Sequence, residues 1–361
     1  MQVKSPLDLS DLNTFRVKAT AQWGVVLNNL SDVKQLSQDQ DLLAHPVHIL
    51  AGGSNSLFLD DWPGVVILPN LQSKQVLEET DQGVVVEVES GHNWHQLVMW
   101  AVEQGLSGIE NLAYIPGKVG GAVVQNIAAY GQVIEDVLQS VLVMHLPSGE
   151  LQRWPADKLA LGYRTSIFKQ PAGRGYLIVS ARLQLSKQPR FDLHYHSRYE
   201  SLADWLKRYR QPPYSPKDVA EAVISLRKHK LPEVEKIPNC GSFFVNPIVS
   251  VEKFHQLSAE IDQLQHYPVE KMKYDRQDWQ DTSGEQFVKI PAGRLLDELG
   301  WKGKWIGNVG TYHKHSLIVI TNGKASGQEI WQFGQAMKQS VKQAFGIELQ
   351  SEIYEIHPPK D

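Results

Sequence analysis

Four short stretches of this sequence combine residue types and spacings that can do chemistry. Gly52-Gly53-Ser54-Asn55-Ser56 follows the apolar run His48-Ile49-Leu50. A strand there would deliver a turn whose backbone N–H groups can nest an anion, with a plain tight turn as the competing reading. Ile115-Pro116-Gly117-Lys118-Val119-Gly120-Gly121, continuing to Gln125-Asn126, lets a ligand approach the main chain and offers two directed amides. A close packing of turns would use the same glycines. Arg164, within Gly162-Tyr163-Arg164-Thr165-Ser166-Ile167-Phe168-Lys169, is flanked by aromatic and apolar residues. A guanidinium so placed pairs bidentately with a carboxylate, either a ligand's or a structural Asp or Glu. Ser242, within Asn239-Cys240-Gly241-Ser242-Phe243-Phe244-Val245-Asn246-Pro247, sets one hydroxyl beside two Phe residues. No G-x-S-x-G or Ser-His-Asp spacing surrounds it, which argues against a hydrolase nucleophile and leaves a Ser ending a turn as the alternative.

Composition narrows the setting. The 361 residues are 42% hydrophobic and 21% charged, as expected of a soluble globular chain of two or three domains. A net charge of −4 argues against a generally basic nucleic-acid binder. The single Cys240 excludes an internal disulfide framework and Cys-based zinc or iron–sulfur sites. No stretch approaches the roughly 18 apolar residues of a spanning helix, and Met1–Leu30 lacks a signal-peptide core, so a cytoplasmic location is expected. There is no G-x-G-x-x-G after a strand, no P-loop and no H-E-x-x-H. The pairs His92/His95, His194/His196 and His313/His315 lack a third ligand nearby in sequence, and no metal is expected.

The elements that must position the four stretches are partly legible. The sequence predicts a helix over Ser31–Gln38, and strands at His48–Leu50, Gly64–Leu68, Gly83–Ser90, Val141–Met144 and Tyr176–Val179. Leu97, Val98, Ala101 and Val102 sit at helical spacing. Gly105–Gly131 is too glycine-rich for a long helix and too apolar for a linker, which suggests backbone pressed against something. Phe191–Pro216, rich in Tyr, Arg, His and Pro, reads as an irregular loop or hinge. Ser215-Pro216-Lys217-Asp218 opens a helix striped by Val219, Val223 and Leu226. Ser326 with Glu329 opens another, which stops at Gly346, and Ile347–Ile356 alternates like a strand.

In order and interval, Asn13-Thr14-Phe15, GGSN, ENLAYIPGKVGG through QNIAAYG, GYRTSIFK, NCGSFFVNP and Leu349-Gln350-Ser351-Glu352 resemble the UDP-N-acetylenolpyruvoylglucosamine reductases, flavoenzymes of peptidoglycan precursor synthesis. The resemblance covers nearly the whole chain. It implies an α+β, vanillyl-alcohol-oxidase-type (PCMH-type) FAD-binding fold of two subdomains, 1–70 (joined by 353–361) and 71–225, plus a third, α+β substrate-binding domain, 226–352. That fold has no dinucleotide fingerprint, so the missing glycine motif is expected. The segment around Tyr195 resembles the extra loop of type I members. Val245 stands where many relatives have Lys, Val123 where Pro is usual, and Ala128 where Gly is usual.

The implied reaction reduces UDP-N-acetylglucosamine-enolpyruvate to UDP-N-acetylmuramate with NADPH as co-substrate and non-covalent FAD. The resemblance makes Arg164, Ser242 and Glu352 catalytic. Arg164 would stabilise charge on the substrate carboxylate, Ser242 would deliver the proton, and Glu352 would hydrogen-bond the enolate if protonated and repel it if ionised. It places the flavin on Gly52, Gly53, Ser54, Asn55, Ser56, Ile115, Pro116, Gly117, Gly120, Gly121, Gln125, Asn126, Tyr130 and Gly131. Tyr195, Lys230 and Asn246 would hold the uridine diphosphate. A small-molecule UDP-sugar partner, no nucleic acid, no membrane insertion and a monomer are expected. The rival readings are a flavin oxidase of the same fold with another substrate and a non-catalytic sugar-nucleotide-binding relative.

Overall fold

Gly83–Glu89, with the sequence GVVVEVE, has four consecutive positions buried, as a strand covered on both faces requires. It lies inside an antiparallel five-stranded sheet of order Glu150–Pro155, Leu138–His145, Tyr176–Ser186, Gly83–Glu89 and Lys74–Glu79. On the sheet's polar side Glu87 accepts from Ser180 Oγ (2.6 Å), Arg153 Nη2 (2.5 Å) and Arg182 Nε (3.0 Å). Those bonds hold its carboxyl below the usual range against the cost of its burial. The helix Trp94–Glu103, capped by Asn93, turns Leu97, Val98, Ala101 and Val102 into the core beneath the sheet.

The computed structural model describes residues 1–189, 191, 193, 201–269 and 286–359. The chain forms two compact units, and neither is contiguous in sequence. The first comprises Met1–Leu7, Ala21–Gly52 and Pro63–His229. Besides the large sheet it holds a smaller one in which Val47–Ile49 runs parallel to Trp62–Pro69. The helix Leu30–Gln38 packs there through Val33 and Leu36, and its cap is Asn29 rather than the Ser31 region expected. Leu202–Tyr209 corrects the reading of Phe191–Pro216 as irregular. It is a helix capped by Ser201, with Leu202, Trp205 and Leu206 buried at i, i+3, i+4 spacing.

The second unit comprises Asp8–Thr20, Gly53–Trp62 and Lys230–Asp361. Its main sheet runs Asn239–Ser242, His315–Thr321, Val309–Tyr312, Trp305–Ile306, all antiparallel. The helix Gly327–Phe345 starts with the expected Ser326–Glu329 capping box and ends at Gly346 in the left-handed region, φ 67°. It buries Ile330, Phe333, Met337 and Val341 against Phe243. Gly334 is required there, because an added Cβ would lie 2.5 Å from the Phe243 ring. Within the expected strand Ile347–Ile356 only Tyr354–Ile356 is a strand, parallel to Ser56–Phe58. No helix among the described residues is long and apolar enough to cross a membrane.

Candidate active site

In the first unit the glycine-rich run is pressed against the main chain of another loop. A Cβ on Gly52 would sit 2.8 Å from the Cα of Gly117, and one on Gly120 would sit 3.0 Å from Ser90 Cβ. Only residues without side chains let these loops meet. The seven-residue helix Val119–Gln125 ends at Asn126, whose φ of 44° turns the chain sharply, and Tyr130 (φ 49°) and Gly131 (φ 88°) turn it again. Ala128 is not among the left-handed residues, so its backbone places no demand for glycine there. Asn126 Nδ2 donates to Glu135 Oε2 (3.0 Å) and to Gly162 O (2.8 Å).

The buried residues Glu110 and Asn111, which precede this run, are structural. Glu110 accepts from Ser107 Oγ, Gly108 N–H and Gln132 Nε2, while Asn111 Nδ2 donates to Tyr130 O at 2.7 Å. Tyr114 has φ 60°. Its N–H donates to His95 Nδ1 (3.1 Å), and its carbonyl accepts from Arg227 Nε (3.2 Å). Burial, with Lys228 and Arg227 nearby, holds the His95 imidazole below its usual range, which keeps Nδ1 an acceptor.

Arg164 sits at φ 58°, a left-handed position for a residue with a Cβ. Its Nη2 donates to Ala128 O at 3.0 Å. Gly162–Lys169 is stitched along the end of the glycine run. Ser166 Oγ donates to Val124 O (2.7 Å), and Lys169 Nζ to Gln125 Oε1 (2.9 Å). Arg227 shares this neighbourhood. Burial pushes its guanidinium below the ordinary value, Tyr130 opposes that, and the charge of Arg164 adds to it. An anion held there would relieve both like charges. Arg227 was missed in the sequence, yet it sits at i, i+4, i+8 with Val219 and Val223, on the inward stripe of Pro216–Lys230.

Two buried polar atoms on the expected flavin run, Gln125 Nε2 and Asn126 Oδ1, and one packed against it at Gly120, Ser90 Oγ, have no hydrogen-bond partner among the described residues. Each such atom costs roughly 1–3 kcal/mol unless something satisfies it. A ligand rich in ring nitrogens, carbonyls and hydroxyls would do so.

The second unit gathers four sequence blocks. Asn13 knits its loop by donating to Leu9 O (2.8 Å) and accepting from Val17 N–H (3.0 Å). Thr14 N–H donates to Gly53 O, and Thr14 O accepts from Asn239 N–H, both at 3.1 Å. Gly53, at φ 60°, admits no side chain, because a Cβ would meet Leu12 O at 1.9 Å. From Asn239 to Ser242 the strand takes three steps where its partner, Ile320 to Ile318, takes two. The extra residue is a bulge built on Gly241 at φ 72°, and bulges re-aim the next side chain. Ser242 is thereby turned at the strand end, with Phe243 N–H anchored on Leu317 O at 2.8 Å.

Glu352 joins Ser242's neighbour directly, its N–H donating to Phe243 O at 2.9 Å, while Val245 N–H donates to Gln350 O at 3.0 Å. Asn55 clamps the same segment. Its Nδ2 donates to Glu352 O (3.1 Å) and its carbonyl accepts from Tyr354 N–H (2.8 Å). The structure therefore brings Ser242, Glu352 and Asn55 together, and Arg164 belongs to the first unit. Asn246 Oδ1 is committed to Ala292 N–H at 3.0 Å, so its offer to a ligand is the Nδ2 donor. Lys230 closes the helix Pro216–Lys230; burial holds the His315 imidazole below its usual range against Asp297, and the charges of Lys302 and Lys230 add to that. Tyr195 lies outside the described residues.

Cys240 fills the space beneath the bulge, with Sγ 3.3 Å from Thr14 Oγ1 and 3.5 Å from Ser56 O. Burial pushes its thiol up to about 12, so almost no thiolate forms near neutral pH. Iodoacetamide at about pH 8 is therefore expected to leave the native protein unlabelled and to label Cys240 once guanidinium unfolds it. Mass spectrometry reads the difference, and rapid native labelling would mean that the bulge opens.

Residues 21–154 match the family model for an FAD binding domain, and residues 232–356 match the one for the UDP-N-acetylenolpyruvoylglucosamine reductase C-terminal domain. The reductase of that name from Burkholderia vietnamiensis is 34% identical over 344 residues, 94% of this chain and 93% of that protein. The one from Burkholderia lata is 34% identical over 347 residues, with the same coverage. The crystal structure of the Thermus caldophilus reductase aligns with a TM-score of 0.65 at 23% identity, covering 98% of this chain and 99% of that one, and it shows a shared fold. The three unsatisfied atoms and the apposed glycines fit the flavin that the first domain model implies. The chain is an FAD-binding oxidoreductase and belongs to the UDP-N-acetylenolpyruvoylglucosamine reductase family.

Proposed function

We propose that this protein reduces UDP-N-acetylglucosamine-enolpyruvate to UDP-N-acetylmuramate for peptidoglycan synthesis, with NADPH as the electron donor. The observation that carries the mechanism is the bulge that turns Ser242 beside the Glu352 segment. When bound, FAD supplies the hydride that adds to the methylene carbon of the enolpyruvyl ether. Charge then builds on the neighbouring carbon and its carboxylate. The guanidinium of Arg164 pairs with that carboxylate and gains most as it becomes electron-rich, so it stabilises the transition state over the ground state. Ser242 donates the proton that the carbon takes up, with Glu352 as the carboxyl-bearing group at the enolate. Lys230 serves the diphosphate as a point charge, and Asn246 offers it the Nδ2 donor. Segments 1–70 and 71–225 form the cofactor-binding part and 226–352 the substrate-binding part, with 353–361 returning to the first segment as the pairing of Tyr354–Ile356 with Ser56–Phe58 suggests.

A colour titration tests the reading. Purified protein is expected to be yellow, to bleach with NADPH under anaerobic conditions, and to recover on addition of the enolpyruvyl nucleotide. Recovery with oxygen alone, the nucleotide having no effect, would assign it to the oxidases instead.

A further inference from the structure

The docking of Gly162–Lys169 on the glycine run contains one side chain that the mechanism leaves unused. Lys169 Nζ donates to two acceptors at once, Gln125 Oε1 and the main-chain carbonyl of Arg164, each at 2.9 Å. We infer that Lys169 is a positioning residue that fixes the hydrogen-bonding sense of the Gln125 amide and holds Arg164 in its left-handed turn.

A glutamine amide offers a donor on one side and an acceptor on the other, and packing alone distinguishes the two poorly. An ammonium against one side settles it, since the flipped amide would set two donors 2.9 Å apart. With Oε1 tied to Lys169, Nε2 faces the opposite way, and it is buried without a hydrogen-bond partner among the described residues. Lys169 therefore converts Gln125 into a fixed donor toward an acceptor supplied by a ligand, as the carbonyl and ring-nitrogen edge of a flavin would be.

The second contact acts on the backbone. Arg164 at φ 58° occupies a conformation that is unfavourable for a residue with a Cβ and persists only where the surroundings hold it. The turn is closed by Gly162 and Thr165 bonding to each other's backbone, at 3.1 and 3.2 Å. Nothing in that pair fixes the carbonyl of Arg164, and Lys169 does. Ser166 on Val124 and Asn126 on Gly162 keep the loop docked without the lysine. Its removal should loosen the two groups and not unfold the segment.

The inference rests on the proposed function for what Gln125 and Arg164 face. The test uses Lys169→Met, Lys169→Arg, Gln125→Glu and the Lys169→Met/Gln125→Glu double variant. It measures FAD affinity of the apoprotein by flavin fluorescence quenching, single-turnover flavin reoxidation by the enolpyruvyl nucleotide, and melting of the apoprotein. Losing a charge-assisted contact predicts FAD binding about 10-fold weaker and reoxidation roughly 10- to 100-fold slower in Lys169→Met, with melting nearly unchanged. Lys169→Arg should recover part of both. Gln125→Glu keeps an acceptor for Lys169 but has no donor to give, so its FAD affinity should fall as far as in Lys169→Met. The double variant should then lose little more than either single one.

Wild-type FAD affinity and reoxidation in Lys169→Met would overturn the inference. So would losses that track a lowered melting temperature with no recovery in Lys169→Arg, and so would additive FAD losses in the double variant. If the wild type itself is not reoxidised by the nucleotide, the functional reading fails, while the FAD affinities still decide the role of Lys169.

Discussion

Ser242→Ala is expected to leave flavin reduction by NADPH at its wild-type rate and to slow reoxidation by the enolpyruvyl nucleotide by about 10²- to 10⁴-fold, the usual contribution of a positioned proton donor. A hydroxyl is a weak acid, and under the proposed mechanism the mismatch is small because the acceptor is a strongly basic carbon of an enolate. The side chain lost is small and half-buried, and the main chain that carries it is held independently. Phe243 N–H bonds to Leu317 O, Glu352 N–H bonds to Phe243 O, and Gly241 N–H bonds to Asn239 Oδ1 at 3.0 Å. The bulge should therefore survive the substitution. Stopped-flow absorbance of the flavin resolves the two half-reactions in one enzyme. Equal slowing of both would make Ser242 a packing or binding residue and remove the proton donor from the mechanism.

That separation depends on a feature no one-dimensional pattern contains. Asn239–Ser242 reads as a turn leading into a strand, but the bulge exists only relative to its partner strand, whose three-to-two mismatch is fixed by Ile318 and Ile320 some eighty residues later. Local chemistry was legible. The Ser326–Glu329 box, the Ser215–Asp218 start and the run of valines in Gly83–Glu89 each encode their element within a few residues. Leu202–Tyr209 escaped because two turns of helix carry little periodicity, and the prolines, tyrosines and arginines around it mask the Leu202, Trp205, Leu206 stripe.

For the site, the residue types and their order were readable, and the resemblance named their roles. What pairs with what was not readable. Asn55 on the Glu352 carbonyl spans nearly three hundred residues, and Arg227 on Tyr114 spans more than a hundred. The interleaving of the units has the same origin. Asp8–Thr20 joins the C-terminal unit through Thr14 on Gly53 and Asn239, contacts made by main-chain atoms that every sequence shares.

Arg164→Met should produce the other large effect, a loss of roughly 10²- to 10³-fold in reoxidation by the nucleotide, as removal of one preorganised charge-stabilising donor produces elsewhere. Methionine keeps the apolar stem and discards the fork, including the Nη2 bond to Ala128 O, so the left-handed turn remains held by the Gly162–Thr165 pair and by Lys169. Arg164→Lys retains the charge without bidentate geometry and should fall between wild type and Arg164→Met. If the guanidinium acts on the substrate carboxylate, the wild type should handle the corresponding neutral carboxamide nucleotide almost as poorly as Arg164→Met does, and the variant should barely distinguish the two substrates. A variant that still prefers the carboxylate by the wild-type ratio would transfer that recognition elsewhere. Arg227 is then the group to substitute next, because its charge already bears on that of Arg164 and on Tyr130.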